Sequence, residues 1–113
     1  MDCIFCKIIS GEIPCKKIYE DENMLAFHDI NPVAPVHFLV IPKTHIESAN
    51  DIADVESGVI AKIFAAIPNL AKEQNLENGY RIINNCGEYG CQTVSHIHFH
   101  VIGGKQLGWG KDF

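Results

Sequence analysis

The sequence predicts an α+β fold: a mostly antiparallel sheet of about five strands, with one long helix and a short N-terminal helix. Three observations carry this. Short strand-like runs stand on both sides of a single long segment with helical period. No internal repeat or alternation of strand and helix suggests a parallel βαβ array. The chain has 113 residues, 47% hydrophobic and 20% charged, which is enough for one core, so a single domain over residues 1–113 is expected.

Each element follows from its local chemistry. "CIFCKII" forms a short helical turn, stopped by Ser10-Gly11 and Pro14. "KKIYE" and "NMLAFHDI" read as strands separated by the acidic turn "DEN". "DINPVAPV" carries two prolines and is a loop. "HFLVIP" is a near-continuous apolar run, expected to be a central strand ending at Pro42. From Glu56 to Asn75, residues Val59, Ile60, Ile63, Phe64, Ile67, Leu70 and Ala71 fall at spacings of three and four. Asp54 is placed to cap that helix, and Pro68 inside it is expected to kink or split it. "NGYRIINN" is then a strand, "CGEYGCQT" a glycine-bearing loop and "SHIHFHVI" the last strand.

That last run places His96, His98 and His100 at alternate positions. In an extended chain they share one face, while Ile97, Phe99 and Val101 share the other. Imidazole is a competent nucleophile at neutral pH, and an N-phosphoryl bond is labile. The nucleophilic ring needs one free nitrogen, with the other held by a partner that fixes the tautomer. It also needs donors for the phosphoryl oxygens. The preceding loop offers Gly87, Gly90, Gln92 and Thr93, and its backbone amides can turn toward an anion. His98 is central in the row, so His96 and His100 can flank it.

Net charge is −5, which argues against a nucleic-acid backbone binder but leaves small phosphorylated ligands open. No stretch approaches transmembrane length, the start is unlike a signal peptide, and neither a membrane nor a nucleic acid is expected as partner. Five cysteines, an odd number, argue against a disulfide scaffold, so a reducing cytoplasm is the expected location. Cys3 and Cys6 form C-x-x-C, which by itself fits a redox pair, a zinc half-site or chance. Zinc requires two further ligands, for which His45 and His96 are available. Cys15 and Cys86 receive no role.

With these residues in view, "HIHFHVI" resembles the histidine-triad (HIT) motif. Similarity extends through "CIFCKIISGEIP", "AFHDINPVAPVHFLVIPKTHI", "NNCGEYGCQTVSHIHFHVIGG" and the late Trp109. The continuation "VIGG" with Trp109 resembles the Hint branch. The resemblance implies a purine nucleoside phosphoramidate hydrolase that releases AMP or GMP through a covalent nucleotidyl-histidine. A dinucleoside polyphosphate hydrolase and a nucleotide-binding regulator with incidental turnover are the alternatives. It implies that His98 is the nucleophile, that His100 contacts the phosphoryl group and that His37 supports the triad, with His96 as its remaining member. It further implies Asp29 and Ile30 around ribose and base, and Asn85, Cys91, Gln92 and Thr93 around phosphate and ribose. Phe5, Ile8 and Phe27 are expected in an apolar base pocket that separates purines weakly. Zinc on Cys3, Cys6, His45 and His96 is implied by bacterial relatives, and so is a homodimer that pairs the long helices and joins the sheets. Two departures stand out: Cys91 replaces the usual glycine, which costs energy if the backbone there is left-handed, and Thr93 replaces the commoner serine.

Overall fold

The computed structural model describes residues 3–110. Helix α1 (Ile4–Ile9) is followed by strands β1 (Lys17–Glu20), β2 (Met24–His28) and β3 (Val36–Pro42). Helix α2 (Asp54–Glu73) then leads to β4 (Tyr80–Ile83) and β5 (Phe99–Gly103). The five strands form one antiparallel sheet in the order β1-β2-β3-β5-β4. The α+β reading holds, and "HFLVIP" is the middle strand, buried along almost its whole length.

The pleat sorts the core into two halves. On one face Met24, Ala26, Phe38, Val40, Ile97, Phe99 and Val101 pack against Ile63, Ile67, Leu70 and Ala71 of α2. On the other face Leu25, Phe27, Leu39 and Ile41 pack against Cys3 and Phe5, at the start of α1. The imidazoles lie on this second face, since His100 pairs across the sheet with Leu39. Strand alternation thus sends the long helix and the histidines to opposite sides.

Three local expectations need correction. Pro68 does not split helix α2, which continues through it, and its ring lies on the exposed side. Its N-cap is Ala53, with no side-chain cap; Asp54 is the first helical residue, where its carboxylate meets the positive end of the helix dipole. The helix closes on Asn75 at φ 63°, with Leu76 N–H bonded to Ala71 O at 2.9 Å and Asn75 N–H to Lys72 O at 3.1 Å. That is a Schellman closure, sealed by buried Leu76.

The third correction bears on the site. β5 begins at Phe99, so His96 and His98 precede the ladder. Ile97 N–H instead reaches Ile46 O, at 2.6 Å, in the segment that follows β3. The alternation survives without the ladder, because Ile97 still enters the α2-side core. At the other end of β5, Gly104 at φ +92° turns the chain away.

Candidate functional site

Four buried histidines are built into the face opposite α2: His37, His96, His98 and His100. Three of them, His37, His96 and His98, have a ring nitrogen whose role is fixed by a main-chain partner that can only donate or only accept, and His100 takes its role from His37. Val33 N–H donates to His37 Nδ1 at 3.1 Å, so that nitrogen carries the lone pair. In neutral His37 the proton is on Nε2, which donates to His100 Nδ1 at 2.9 Å. His100 therefore carries its own proton on Nε2. His98 Nδ1–H donates to the carbonyl of His96 at 2.8 Å, which leaves the lone pair on His98 Nε2. His96 Nε2–H donates to Pro42 O at 2.9 Å, which leaves the lone pair on His96 Nδ1.

Neutral rings are what the surroundings favour. Burial holds His37, His96 and His98 below the usual histidine range. Burial, with His98 and His37 as neighbours, holds His100 at about 4. Asp29 opposes the trend, its Oδ2 lying 3.4 Å from His37 Nε2. Its other oxygen accepts from Asn31 N–H at 2.7 Å, which shapes the loop before Pro32. Phe5 stands edge-on between two members of the row, 5.1 Å from the His98 ring and 5.8 Å from that of His96.

His96 was expected both in the triad's chemistry and in a metal set. Its two nitrogens are committed, one to Pro42 O and one to a cluster with Cys3, Cys6 and His45, so it has none left for a substrate. In that cluster Cys3 Sγ and Cys6 Sγ lie 3.4 and 3.6 Å from His96 Nδ1. His45 Nδ1 lies 3.1 Å from His96 Nδ1 and 3.3 Å from Cys6 Sγ. A tetrahedral zinc with ordinary bond lengths needs sulfur–nitrogen separations of about 3.5 Å and nitrogen–nitrogen separations of about 3.3 Å. The donor set and its spacing fit zinc. Burial and the neighbouring Cys3 push the Cys6 thiol up to about 11, so it stays protonated at neutral pH until a cation displaces the proton.

The expected nucleotide-binding residues divide. Asn85 and Cys91 share a cleft of about 400 Å³ with Arg81, Tyr89 and Trp109. Thr93 lines a different cleft, beside Cys3 and His45. Thr93 makes no hydrogen bond among the described residues. Gln92 is fully engaged within its loop: its Oε1 accepts from Gly87 N–H at 2.9 Å, its Nε2 donates to the carbonyls of Glu47 and Val94, and its N–H goes to Gly87 O. It staples the glycine loop to the segment after β3. Ile30 is 91% exposed. Phe5 and Phe27 do meet, 5.8 Å apart, with Ile8 packed beside them.

Cys91 adopts φ 61° and ψ 37°, the left-handed conformation that its replacement of glycine makes costly, by about 1 kcal/mol. Three contributors were not legible in advance. Asn84 Nδ2 donates to His98 O at 2.9 Å; Pro42 and Val33 act through main-chain atoms. Backbone partners leave no residue-type signal, and the Asn84-Asn85 pair gives no reason to favour its first member.

Residues 10–107 match the family model of the HIT domain. The chain is 45% identical over 105 residues to an uncharacterized HIT-like protein of Buchnera aphidicola, covering 92% of this chain and 94% of that one. It is 45% identical over 109 residues to a 14 kDa zinc-binding protein of Zea mays, covering 94% of this chain and 84% of the maize protein. A HIT family hydrolase from Legionella pneumophila superposes with a TM-score of 0.93 at 48% identity, covering 96% and 97% of the two chains.

Proposed function

The chain belongs to the HIT domain family, and from that premise we propose that it hydrolyses purine nucleoside phosphoramidates, as in the Hint branch, releasing AMP or GMP. One observation carries the reading: His98 is neutral, held through Nδ1–H, and presents the lone pair of Nε2. That is the state in which imidazole attacks phosphorus. His98 Nε2 forms a bond to the α-phosphorus as the P–N bond to the leaving group breaks, and the departing amine takes a proton from solvent, which the water of the second step gives back. Water then attacks the same phosphorus, the phosphorus–His98 bond breaks, and the nucleotide leaves. His100 Nε2–H and the unengaged Thr93 donors stabilise charge on the non-bridging oxygens. His37 sets the His100 tautomer, Asp29 meets the ribose, and Asn85 and Cys91 flank the phosphate.

Cys3, Cys6, His45 and His96 would hold one structural zinc. The similar maize protein is described as zinc-binding, which supports this. The Legionella protein is described as a hydrolase, which supports turnover over pure binding. The chain would act as a homodimer: Val55 and Phe64 are exposed on α2, and β4 is an open edge of the sheet. A sedimentation mass near 12.6 kDa at micromolar concentration would remove the dimer.

The test is a turnover panel with an adenosine phosphoramidate of lysine and a diadenosine polyphosphate. Preferential cleavage of the phosphoramidate is expected. Preferential cleavage of the polyphosphate would assign the chain to the other hydrolase class, and tight nucleotide binding without turnover would make it a regulator. No helix among the described residues is long and apolar enough to cross a membrane.

A further inference from the structure

His96 belongs to two constructions at once. Its side chain is a corner of the cysteine–histidine cluster, and its main-chain carbonyl is the acceptor that fixes His98. We propose that His96 is a positioning residue through which zinc occupancy sets the tautomer and aim of His98, so that metal loading regulates the nucleophile. This rests on the reading of His98 as nucleophile.

The backbone supplies the route for the coupling. Residues 95–98 lie outside the sheet ladder, which starts at Phe99. Around the His96 carbonyl, the hydrogen bonds of this segment are Ile97 N–H to Ile46 O and Asn84 Nδ2 to His98 O. The carbonyl shares a rigid peptide unit with Ile97 N–H, so its direction is set jointly by the bond to Ile46 O and by what holds the His96 side chain; both routes lead to the cluster, since His45, next to Ile46, and His96 are two of its corners. That side chain is pinned at two points, Pro42 O through Nε2 and the cluster through Nδ1. A second link runs through α1. Cys3 is its N-cap, and the first turn of that helix carries Phe5, whose ring centroid lies 5.1 Å from that of His98 in a T-shaped arrangement. Loss of the metal releases one of the two pins on His96, and with it the anchor of the helix that packs Phe5 on the imidazole. A neutral His98 freed in this way exchanges between tautomers, and the form with its lone pair on Nδ1 presents the wrong nitrogen.

The same geometry supplies an internal control. His100 takes its tautomer from His37, and His37 takes its own from Val33 N–H. Neither link passes through the cluster. Zinc should therefore change His98 and leave His100 as it is, which a general loosening of the fold would not do.

The experiment uses the whole chain with zinc quantified by mass spectrometry. Histidine tautomers are read from long-range 1H–15N correlation spectra before chelation, after it, and after zinc is returned. We expect about one zinc per chain and a single Nδ1–H form of His98 in the loaded protein. After chelation, the His98 signals should average between tautomers or broaden, while His100 keeps its Nε2–H signature. Returned zinc should restore the single form. With an adenosine phosphoramidate, kcat should fall about 10–100-fold on chelation while KM stays within about twofold. Cys6→Ala should behave like the chelated chain. His45→Cys, which keeps four zinc donors, should keep both the metal and the single tautomer. If the metal-free chain does not hold its fold, His45→Ala at graded zinc concentrations gives a partly loaded state whose His98 tautomer should track occupancy. Wild-type protein without zinc, a His98 tautomer independent of occupancy, or equal changes at His98 and His100 would each overturn the proposal. A chain that shows the tautomer coupling yet turns over no nucleotide substrate would refute the hydrolase reading and support the coupling.

Discussion

His37 Nε2 and His100 Nδ1 stand 2.9 Å apart, and the far nitrogen of His37 accepts from Val33 N–H. One main-chain donor thereby sets the proton positions of two imidazoles in series, ending with an N–H on the outer nitrogen of His100. Removing the middle member breaks the series. His37→Ala should lower kcat by about 10–100-fold, as loss of an orienting partner commonly does. It should also cost about 1–3 kcal/mol of stability, because His100 Nδ1 is left buried without a donor. His37→Gln, whose amide can donate in the same place, should recover part of both. Steady-state kinetics beside urea unfolding checks this, and unchanged kcat in His37→Ala would exclude a tautomer role.

His98→Ala removes the covalent route altogether. Turnover should fall at least ~10³-fold. The fold should persist, since the α2-side core draws on Ile97, Phe99 and Val101 rather than on the imidazoles. Rapid quenching of the wild type with labelled substrate should trap an acid-labile nucleotidyl group on the peptide that contains His98. Label on any other residue would overturn the mechanism.

Acid should destabilise the fold through His100. An unfolded histidine titrates near pH 6.5, whereas burial, then His98 and His37, hold folded His100 at about 4. Between those values the unfolded chain binds a proton that the folded chain does not. Stability from this group is therefore complete above pH 6.5 and is lost as pH falls from there toward 4. The loss amounts to about 2 kcal/mol between pH 7 and pH 5. Urea midpoints for wild type and His100→Gln at the two pH values isolate this share: the wild type should lose more stability on acidification than the variant. Equal losses would show that His100 is not held neutral.

Cys91→Gly relieves the left-handed strain at φ 61° but adds flexibility to the unfolded chain. The two effects are of similar size, so the change should be neutral to stabilising by up to ~1 kcal/mol. Cys91→Ala keeps the strain and should gain nothing. Thermal unfolding of the three proteins decides it, and clear destabilisation by glycine would mean that the thiol makes a contact worth more than the strain.

Much of this protein is determined locally and can be read without coordinates. The period of two in "HIHFHVI" and the period near four from Val59 to Leu70 depend only on where successive Cβ atoms point. They specified the sheet, the long helix and the shared face of the imidazoles. The left-handed cost at Cys91 follows from a side chain where glycine is usual. The tertiary structure decided the rest. That β5 starts at Phe99 depends on Ile46 taking the amide of Ile97, a partner about fifty residues away. That Pro68 leaves α2 whole depends on its lying on the outer side. The separation of His96 from His98 and His100 depends on Pro42 O and the cysteine cluster occupying both of its nitrogens. The proton positions depend on Val33 N–H, His96 O and Pro42 O, main-chain groups that every residue type supplies alike. A sequence names the rings; only the packed chain selects the main-chain atom that each ring nitrogen meets, and that choice places each proton.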